Sequence, residues 1–524
     1  MMSGAGEEKP CRNEGKMNKY SNTRPNVLLV VTDQQRFDAL GCYGNPDVDT
    51  PNLDKFAAGG VLFENGYCQS PVCTPSRASF LTGRYPRTTR CRANGQSMPG
   101  YERLVSRVLA DHGYYCSLVG KLHLAPCGPT ACPIQEKRID DGFTEFHWAH
   151  NPSGIGNAGL PESGGTYWSG NEYSHWLFKR GKKYQYPDFD KMGYVKIGMD
   201  EDDHFTKWCI DQAIDSIRYF AEEKRQMPEF NCPPWFYNIN IFDPHHAFDP
   251  PKRLLDKYLA RADKLPLPKY VEGEWEKKTI FQKQDHANAY NNTSTPHHFC
   301  FEEMNEEEHR MIKAAYYAMV EMIDIQFGRL METLEETGEI DNTIVIFTSD
   351  HGEMLGDHGI YLKGPYFYEG MSHVPLIISW KNHFMEGVRL NTLAELTDLV
   401  PTIEEICIGE IEPGVQGRSL ADVLTGDKKP EEHRDSIYCE YYEAMPWHTQ
   451  PEAYGTMVYD GRYKLSRFHT SKEGELYDLK EDPDEFRNLW DEPDYREVKI
   501  RMLELLTDRM ADTVDPLPVA TDKW

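Results

Sequence analysis

Basic side chains are scarce in this chain: 57 lysines and arginines stand against 84 aspartates and glutamates, a formal charge of −27 over 524 residues. That balance excludes a general nucleic-acid surface, which needs a basic stripe to meet phosphates. It leaves room for a local cationic pocket, because net charge describes the surface average and not a cleft. Also lacking is any apolar run long enough to span a bilayer, and no internal repeat is visible. The opening stretch does not carry the charged, apolar, small-residue order of a secretory signal, and Met1 to Asn22 reads as polar and disordered. The 13 cysteines are odd in number and form no compact framework, which suits reduced thiols in a cytoplasm. Cys127 and Cys132 are close in sequence, but no second pair or matching histidine cluster makes them a zinc site. The sequon Asn292-Thr293-Ser294 is uninformative without secretion. The expected setting is the cytoplasm, with neither membrane nor nucleic acid as partner.

What is present supports a sizeable core: 39% of residues are apolar and 12% aromatic. The length fits one large domain plus a smaller one. Asn26 to Thr32 is a continuous β-branched and leucine run, the pattern of a strand covered on both faces. Trp235 to Ile241 and Thr343 to Thr348 repeat it, and Tyr114 to Val119 and Val374 to Ser379 read as further strands. Helical spacing is predicted over Tyr101 to His112, Asp203 to Glu223 and Asn305 to Gly338, the last capped by Asn305. A short helix begins at Thr50-Pro51-Asn52-Leu53-Asp54. This alternation predicts an α/β domain with a largely parallel sheet. Asn151 to Gly198 is either a long substrate-facing insertion or irregular surface, and Lys252 to Phe299 reads as irregular and polar.

After Gly417-Arg418-Ser419-Leu420 the character changes to short strands: Ile437 to Glu443, Tyr454 to Tyr459, Tyr463 to Phe468 and Glu475 to Asp478. Asp460-Gly461 is a hairpin turn between two of them. A helix from about Tyr495 to Asp512 closes the chain. The expected layout is a disordered or extended segment 1–23, a main domain 24–427 and a small antiparallel subdomain 428–524.

Ionisable groups collect where the strands stop, at Asp33-Gln34, Gly120-Lys121-Leu122-His123, Asp243-Pro244-His245 and Asp350-His351-Gly352. In open α/β sheets, ligands gather at the carboxyl ends of strands. One aspartate after a strand is most simply a cap or turn former. Two such pairs suggest a divalent cation held by carboxylates of Asp33 and Asp350, the Gln34 amide oxygen and a His351 ring nitrogen. Oxygen donors suit Ca²⁺ or Mg²⁺, and the imidazole leaves room for Mn²⁺. Around this the chain places Ser70 to Arg84, with Pro75 where a first helical turn starts. Ser76 to Leu81 reads as a helix closed by Gly83. A group at Cys73 then sits at the positive end of a helix dipole, with Arg77 one turn on. A bare Cys-x-Pro reads as a buried structural cysteine.

The full string Cys73-Thr74-Pro75-Ser76-Arg77, with Thr82-Gly83-Arg84 behind it, resembles the signature of the sulfatase family. The order of motifs is similar throughout, from Asn26-Val27-Leu28 to Gly120-Lys121-Leu122-His123, Asp243-Pro244-His245, Lys363-Gly364-Pro365 and Glu475 to Leu489. The resemblance implies the alkaline-phosphatase-like α/β sandwich: a large mixed, mostly parallel sheet and a smaller C-terminal antiparallel sheet. It implies that a maturation enzyme oxidises Cys73 to formylglycine, whose hydrate attacks the sulfur of an aryl or carbohydrate sulfate. It further implies one divalent metal, Ca²⁺ first with Mg²⁺ or Mn²⁺ as options, held by Asp33, Gln34, Asp350 and His351 and touched by residue 73. Arg77 would steady the hydrate, while Lys121, His123 and Lys363 gather the sulfate. His245 or Lys363 would protonate the leaving oxygen, with His246 open as the working imidazole, and His123 would be the final base. Asn94 reads as a turn residue, although a matching asparagine touches substrate in some relatives.

Many arylsulfatases carry two adjacent aspartates where this chain has Asp33-Gln34, and asparagine in place of His351. The Asp-Gln and Asp-His pairing also occurs in phosphonate monoester hydrolases, but those replace the Gly-Lys-x-His segment that is intact here. Sulfate-ester hydrolysis is therefore favoured. Phosphonate monoester or phosphodiester hydrolysis on the same scaffold is the second reading, and a non-catalytic binder of sulfated ligands with unmodified Cys73 the third. Trp168, Trp176, Trp447 and His448 either wall the released alcohol or serve structure.

Overall fold

Strand β1 (Asn26–Thr32) lies inside an eight-stranded sheet with β2 (Val61–Tyr67), β3 (Tyr115–Gly120), β4 (Glu145–Trp148), β5 (Trp235–Ile241), β6 (Thr343–Ser349), β7 (Leu376–Ser379) and β8 (Val388–Glu395). The coordinates are a computed structural model describing residues 24–518, apart from 129, 130, 133, 154–168, 186–188, 190–192, 231 and 290–298. The opening 23 residues, Trp168 and the sequon Asn292-Thr293-Ser294 lie outside the described residues. The strand order is β4-β3-β5-β1-β6-β7-β2-β8. Neighbours run parallel except where β7 pairs antiparallel with β6 and β2, so the sheet is mixed and mostly parallel.

Period-2 alternation explains why β1 reads as an unbroken apolar run. Leu28 and Val30 face one core, shared with helices Phe205–Gln226 and Glu306–Thr337 through Trp208, Ile217, Ile312 and Phe327. Val27, Leu29 and Val31 face the other, with Phe80, Leu81, Leu109 and Ile403. Asn305 opens the long helix as expected: its side chain accepts from Glu307 and Glu308 N–H, and the Glu308 side chain returns the bond. Among the described residues no helix is long and apolar enough to cross a membrane.

A second, four-stranded antiparallel sheet has the order β12-β11-β10-β9, built from β9 (Ile437–Tyr442), β10 (Tyr454–Tyr459), β11 (Tyr463–Phe468) and β12 (Gly474–Asp478). Its hairpin turns at Asp460-Gly461, where Asp460 Oδ1 accepts from Arg462 and Tyr463 N–H at 2.9 and 2.7 Å. One face packs on the helix Arg496–Asp512 through Val458, Leu465, Leu476, Met502 and Leu506. The other joins Tyr67, Val72 and Leu393 of the large-sheet region. Beside that seam Glu395 and Asp398 are buried and paired with Arg434, and Glu395 also with Arg509.

Several local expectations are corrected. The helix predicted over Tyr101 to His112 spans only Val105–Asp111, because Glu102 N–H closes a turn on the Pro99 carbonyl. Lys252 to Phe299 is not wholly irregular: Lys252–Leu259 and Ile280–Ala287 are short amphipathic helices. The proline of the Cys73 motif is not the first helical residue. The helix starts at Cys73, so Pro75 is third, which still falls in the turn whose N–H groups lack intrahelical partners.

Candidate active site

Four adjacent strands, β3-β5-β1-β6, end side by side, and their tips are tied together. Asp33 N–H bonds the Asp243 carbonyl at 3.3 Å, Asp350 N–H the Thr32 carbonyl at 3.1 Å, and Lys121 N–H the Asn240 carbonyl at 3.3 Å. Over them sits the wholly buried helix Cys73–Thr82, closed by Gly83 in the left-handed region (φ +68°). Ser76 Oγ anchors its first turn to the Asp350 carbonyl at 2.5 Å. Asn94 Oδ1 accepts from Thr74 N–H at 3.1 Å, so a residue distant in sequence satisfies one orphan donor of the helix start.

Cys73 Sγ lies 3.1 Å from His351 Nε2, 3.1 Å from Lys363 Nζ and 3.6 Å from Asp33 Oδ1. Arg77, fully buried, donates to Asp350 Oδ2 at 2.9 Å, Asp33 Oδ2 at 3.2 Å, the Lys121 carbonyl at 2.7 Å and Asn240 Oδ1 at 3.1 Å. Four of its five N–H donors go to these groups, so it holds both carboxylates in place beside residue 73. Lys121 Nζ also holds Asp33 Oδ2, at 2.6 Å.

With their Oδ2 atoms committed to Arg77 and Lys121, Asp33 and Asp350 turn Oδ1 toward His351 Nε2, at 3.9 and 3.7 Å. The other ring nitrogen of His351 is 2.8 Å from the Gly352 carbonyl, the usual way to aim an imidazole lone pair at a metal. Ligand atoms of Asp33, Cys73, Asp350 and His351 all lie within 4.8 Å of one another, and all four residues are buried. Such a donor set fits a divalent cation. Gln34 stands beside it, its Oε1 accepting from Lys363 Nζ at 2.8 Å and its amide NH₂ donating to Glu353.

Electrostatics follow from burial opposed by close charges. Burial would raise the Asp33 pKa, but the cations of Lys121, Arg77 and Lys363 hold it well below the carboxylate range. The Cys73 thiol is lowered although burial and Asp33 push it up, because Lys121, Lys363 and His351 favour the thiolate. Burial lowers His123, His245 and His246, the last to about 3, and keeps them neutral beside the lysines. His245 Nε2 is 3.0 Å from Lys363 Nζ, whereas His246 Nδ1 stands 3.4 Å from the Gln34 amide. Gln34 (φ +68°) and His123 (φ +60°) hold left-handed backbone angles, which cost a non-glycine residue about 1–3 kcal/mol and gather at functional sites.

The structure therefore brings Asp33, Gln34, Cys73, Arg77, Lys121, His245, Asp350, His351 and Lys363 into one contact network, with Asn94 at the helix start. His123 lies alongside, its ring 4.7 Å from that of His150. Sequence reasoning missed Asn240, Glu353 and Glu136. The last accepts from His123 and Leu124 N–H, both at 2.8 Å, and from the Trp148 indole at 2.9 Å. Asn240 and Glu353 each lie within three residues of a recognised motif, which was the available signal. His448 is buried against Asp285 at 2.9 Å, and Trp176 stacks on Tyr173, which favours structural roles for both.

Comparison with solved structures defines the class of protein first. The phosphonate monoester hydrolase of Agrobacterium radiobacter superposes with a TM-score of 0.77 at 24% identity, covering 95% of this chain and 98% of that one. A protein solved in complex with its substrate D-glucosamine-2-N,6-O-disulfate gives 0.72 at 23%, covering 95% and 100%. These likenesses establish the alkaline-phosphatase-like fold. Within that class, the family model described as Sulfatase matches residues 25–407, and one described as N-sulphoglucosamine sulphohydrolase, C-terminal, matches 356–512. An arylsulfatase of Clostridium perfringens is 30% identical over 487 residues, 90% of this chain and 92% of its own. An N-acetylglucosamine-6-O-sulfatase of Bacteroides thetaiotaomicron is 26% identical over 95% of this chain and 88% of its own. The chain belongs to the sulfatase family, and it is a sulfuric ester hydrolase.

Proposed function

We propose that this enzyme releases sulfate from a carbohydrate or aryl sulfate by way of formylglycine at position 73, with a divalent cation held by Asp33, Gln34, Asp350 and His351. The observation that carries this reading is that His351 Nε2 and Lys363 Nζ each lie 3.1 Å from Cys73 Sγ, with the inner oxygen of Asp33 at 3.6 Å. Oxygen-rich ligation favours Ca²⁺, with Mg²⁺ and Mn²⁺ next. When bound, the cation supplies charge neutralisation on the sulfate and acidifies the attacking hydroxyl. The aldehyde hydrate supplies that hydroxyl, and a second one able to expel sulfate.

The chain's own side chains do the rest. Arg77 and Lys121 fix the outer carboxylate oxygens, so the inner ones need no reorganisation. Lys363, an ammonium in contact with His245, is placed to protonate the leaving alcohol oxygen, and neutral His245 to relay that proton. His123, uncharged by burial, is available as the base that removes the second hydroxyl's proton. Asn94, which supports the nucleophile's helix through Thr74 N–H, is the candidate substrate contact at its start. The carbohydrate option draws support from relatives whose names specify glucosamine sulfates.

The test is peptide mass spectrometry of the Cys73 segment from a host containing a maturation enzyme, paired with sulfate release by that preparation and by Cys73→Ala. Mass loss at residue 73 together with activity abolished in Cys73→Ala is the expected result. An intact thiol in fully active enzyme would sink it. Rates on matched aryl sulfate and aryl phosphonate esters separate the sulfatase from the phosphonate hydrolase that Gln34 and His351 also suit.

A further inference from the structure

Cys127 finds in three dimensions the histidine partners that its sequence neighbourhood lacks, which corrects the expectation that no histidine cluster accompanies it. One ligand atom each from His123, Cys127 and His150 lie within 4.8 Å of one another. His123 and His150 are only 6% and 4% exposed, and Cys127 is half-buried. This cluster shares no residue with the Asp33, Cys73, Asp350 and His351 group. Its donors also differ in kind: one thiol sulfur and two imidazole nitrogens with no carboxylate among them, against a group that includes two carboxylates.

Softness sorts cations between such sites. Sulfur with imidazole selects Zn²⁺ and its analogues, while oxygens select Ca²⁺, Mg²⁺ or Mn²⁺. A tetrahedral Zn²⁺ places nitrogen and sulfur ligands about 3.3–3.6 Å apart, so small side-chain rotations close the cluster. A second observation points to a ligand here: His123 Nδ1 is buried with no hydrogen-bond partner, a state that buried polar atoms seldom tolerate. The loop is already pinned. Glu136 grips the backbone of His123 and Leu124, receives the Trp148 indole and lies 3.8 Å from Cys127 Sγ. Such outer carboxylates are what orient metal-bound side chains.

We propose that His123, Cys127 and His150 form a zinc site beside the hard-cation centre, and that filling it inhibits the enzyme by withdrawing the His123 imidazole from the sulfate ester. Binding forms one Zn–S and two Zn–N bonds. The Cys127 thiol proton and the displaced waters go to solvent, and no electron moves. The binding stands on the cluster alone, whereas the inhibition rests on the sulfatase reading of His123.

The test uses the full chain loaded with Ca²⁺, and Co²⁺ as a spectroscopic stand-in for zinc. A thiolate-to-cobalt charge-transfer band is expected in Cys73→Ser/Cys132→Ser protein, which removes the thiol of the other centre and the one beside Cys127, and it should vanish when Cys127→Ser is added. Zinc affinity, read by competition with a chromophoric chelator, should fall at least tenfold in Cys127→Ser. His150→Gln should show the same fall, and it carries the test should the first variant not fold. In matured enzyme the half-inhibitory Zn²⁺ concentration should rise at least tenfold in Cys127→Ser, each variant being compared with its own zinc-free rate. A band that survives loss of Cys127, or zinc affinity unchanged in both variants, overturns the site. Tight zinc binding without inhibition overturns its effect on His123. No sulfate release even in zinc-free enzyme overturns the catalytic reading instead, and leaves the cobalt band to decide the site.

Discussion

Lys363 Nζ meets Gln34 Oε1, Cys73 Sγ and His245 Nε2 at 2.8, 3.1 and 3.0 Å. Burial and that ammonium keep His245 neutral, so in the proposed reaction the proton for the leaving oxygen would come from Lys363. Lys363→Ala is expected to lower kcat by roughly 10²–10⁴-fold. The loss should shrink as the aryl leaving group becomes more acidic, and equal losses across such a series would remove Lys363 as the acid. His351 poses a different question. Burial disfavours its charge, yet Asp350 outweighs that and raises the metal-free imidazole to about 9. A proton therefore occupies His351 below that pH and must leave before Nε2 can bind a cation. Metal affinity of the stripped protein should rise about tenfold per pH unit from 7 to 9 and then level off. Calorimetric titration at several pH values checks it, and a flat profile would mean that His351 is not a ligand.

At the scale of single elements, the end of β3 shows how backbone shape serves the site. Gly120 has φ +93°, and a Cβ there would lie 1.9 Å from the Asn240 carbonyl oxygen. That carbonyl accepts Lys121 N–H, and the Asn240 side chain accepts from Arg77. Gly120→Ala must push β3 and β5 apart just where the lysine and arginine are aimed. We expect a Tm several degrees lower and at least a hundredfold loss of kcat/KM, larger than the stability change alone explains. Strands β1, β5 and β6 were legible because both faces are covered and their sequences run apolar without a break. Strand β2 escaped notice because Glu64 and Asn65 interrupt it at a register shift, and β8 because Arg389 and Asn391 face outward from an edge. Asp33, Cys73, Asp350 and His351 could be chosen because each sits at a strand or helix terminus that local pattern marks. Glu136 and His150 could not, since their partners lie across chain reversals that no local period encodes.

For the whole molecule, buried neutral histidines set the acid limit. His123, His150, His245 and His246 have folded pKa values below the ordinary 6.5, burial being the main cause. The unfolded chain then binds more protons than the native one below pH 6.5. Their contribution is intact above that value and is lost as pH falls, by about 1.4 kcal/mol per histidine per pH unit. Urea midpoints should drop steeply between pH 6.5 and 5, and an unchanged midpoint would show that these imidazoles are not buried neutral. The two sheets also depend on each other. Arg509→Met removes a cation from buried Glu395 and should cost about 3–5 kcal/mol, measured by denaturant unfolding. A chain ending at Asp427 leaves Tyr67, Val72 and Leu393 uncovered beside Glu395 and Asp398 stripped of arginines. It should not yield soluble, folded protein.

Cys73 is 1% exposed, and every residue of its helix is buried. If residue 73 becomes the formylglycine proposed above, the folded protein offers an oxidising enzyme no access to its thiol. The roof over neighbouring Val72 includes β9 and β10, which leave the ribosome late in synthesis. On the same reading, the thiol would be reached before these strands dock and shut afterwards. On that reading, birth order along the polypeptide would act as a clock on activation, and a molecule that closes before it is visited would stay inert.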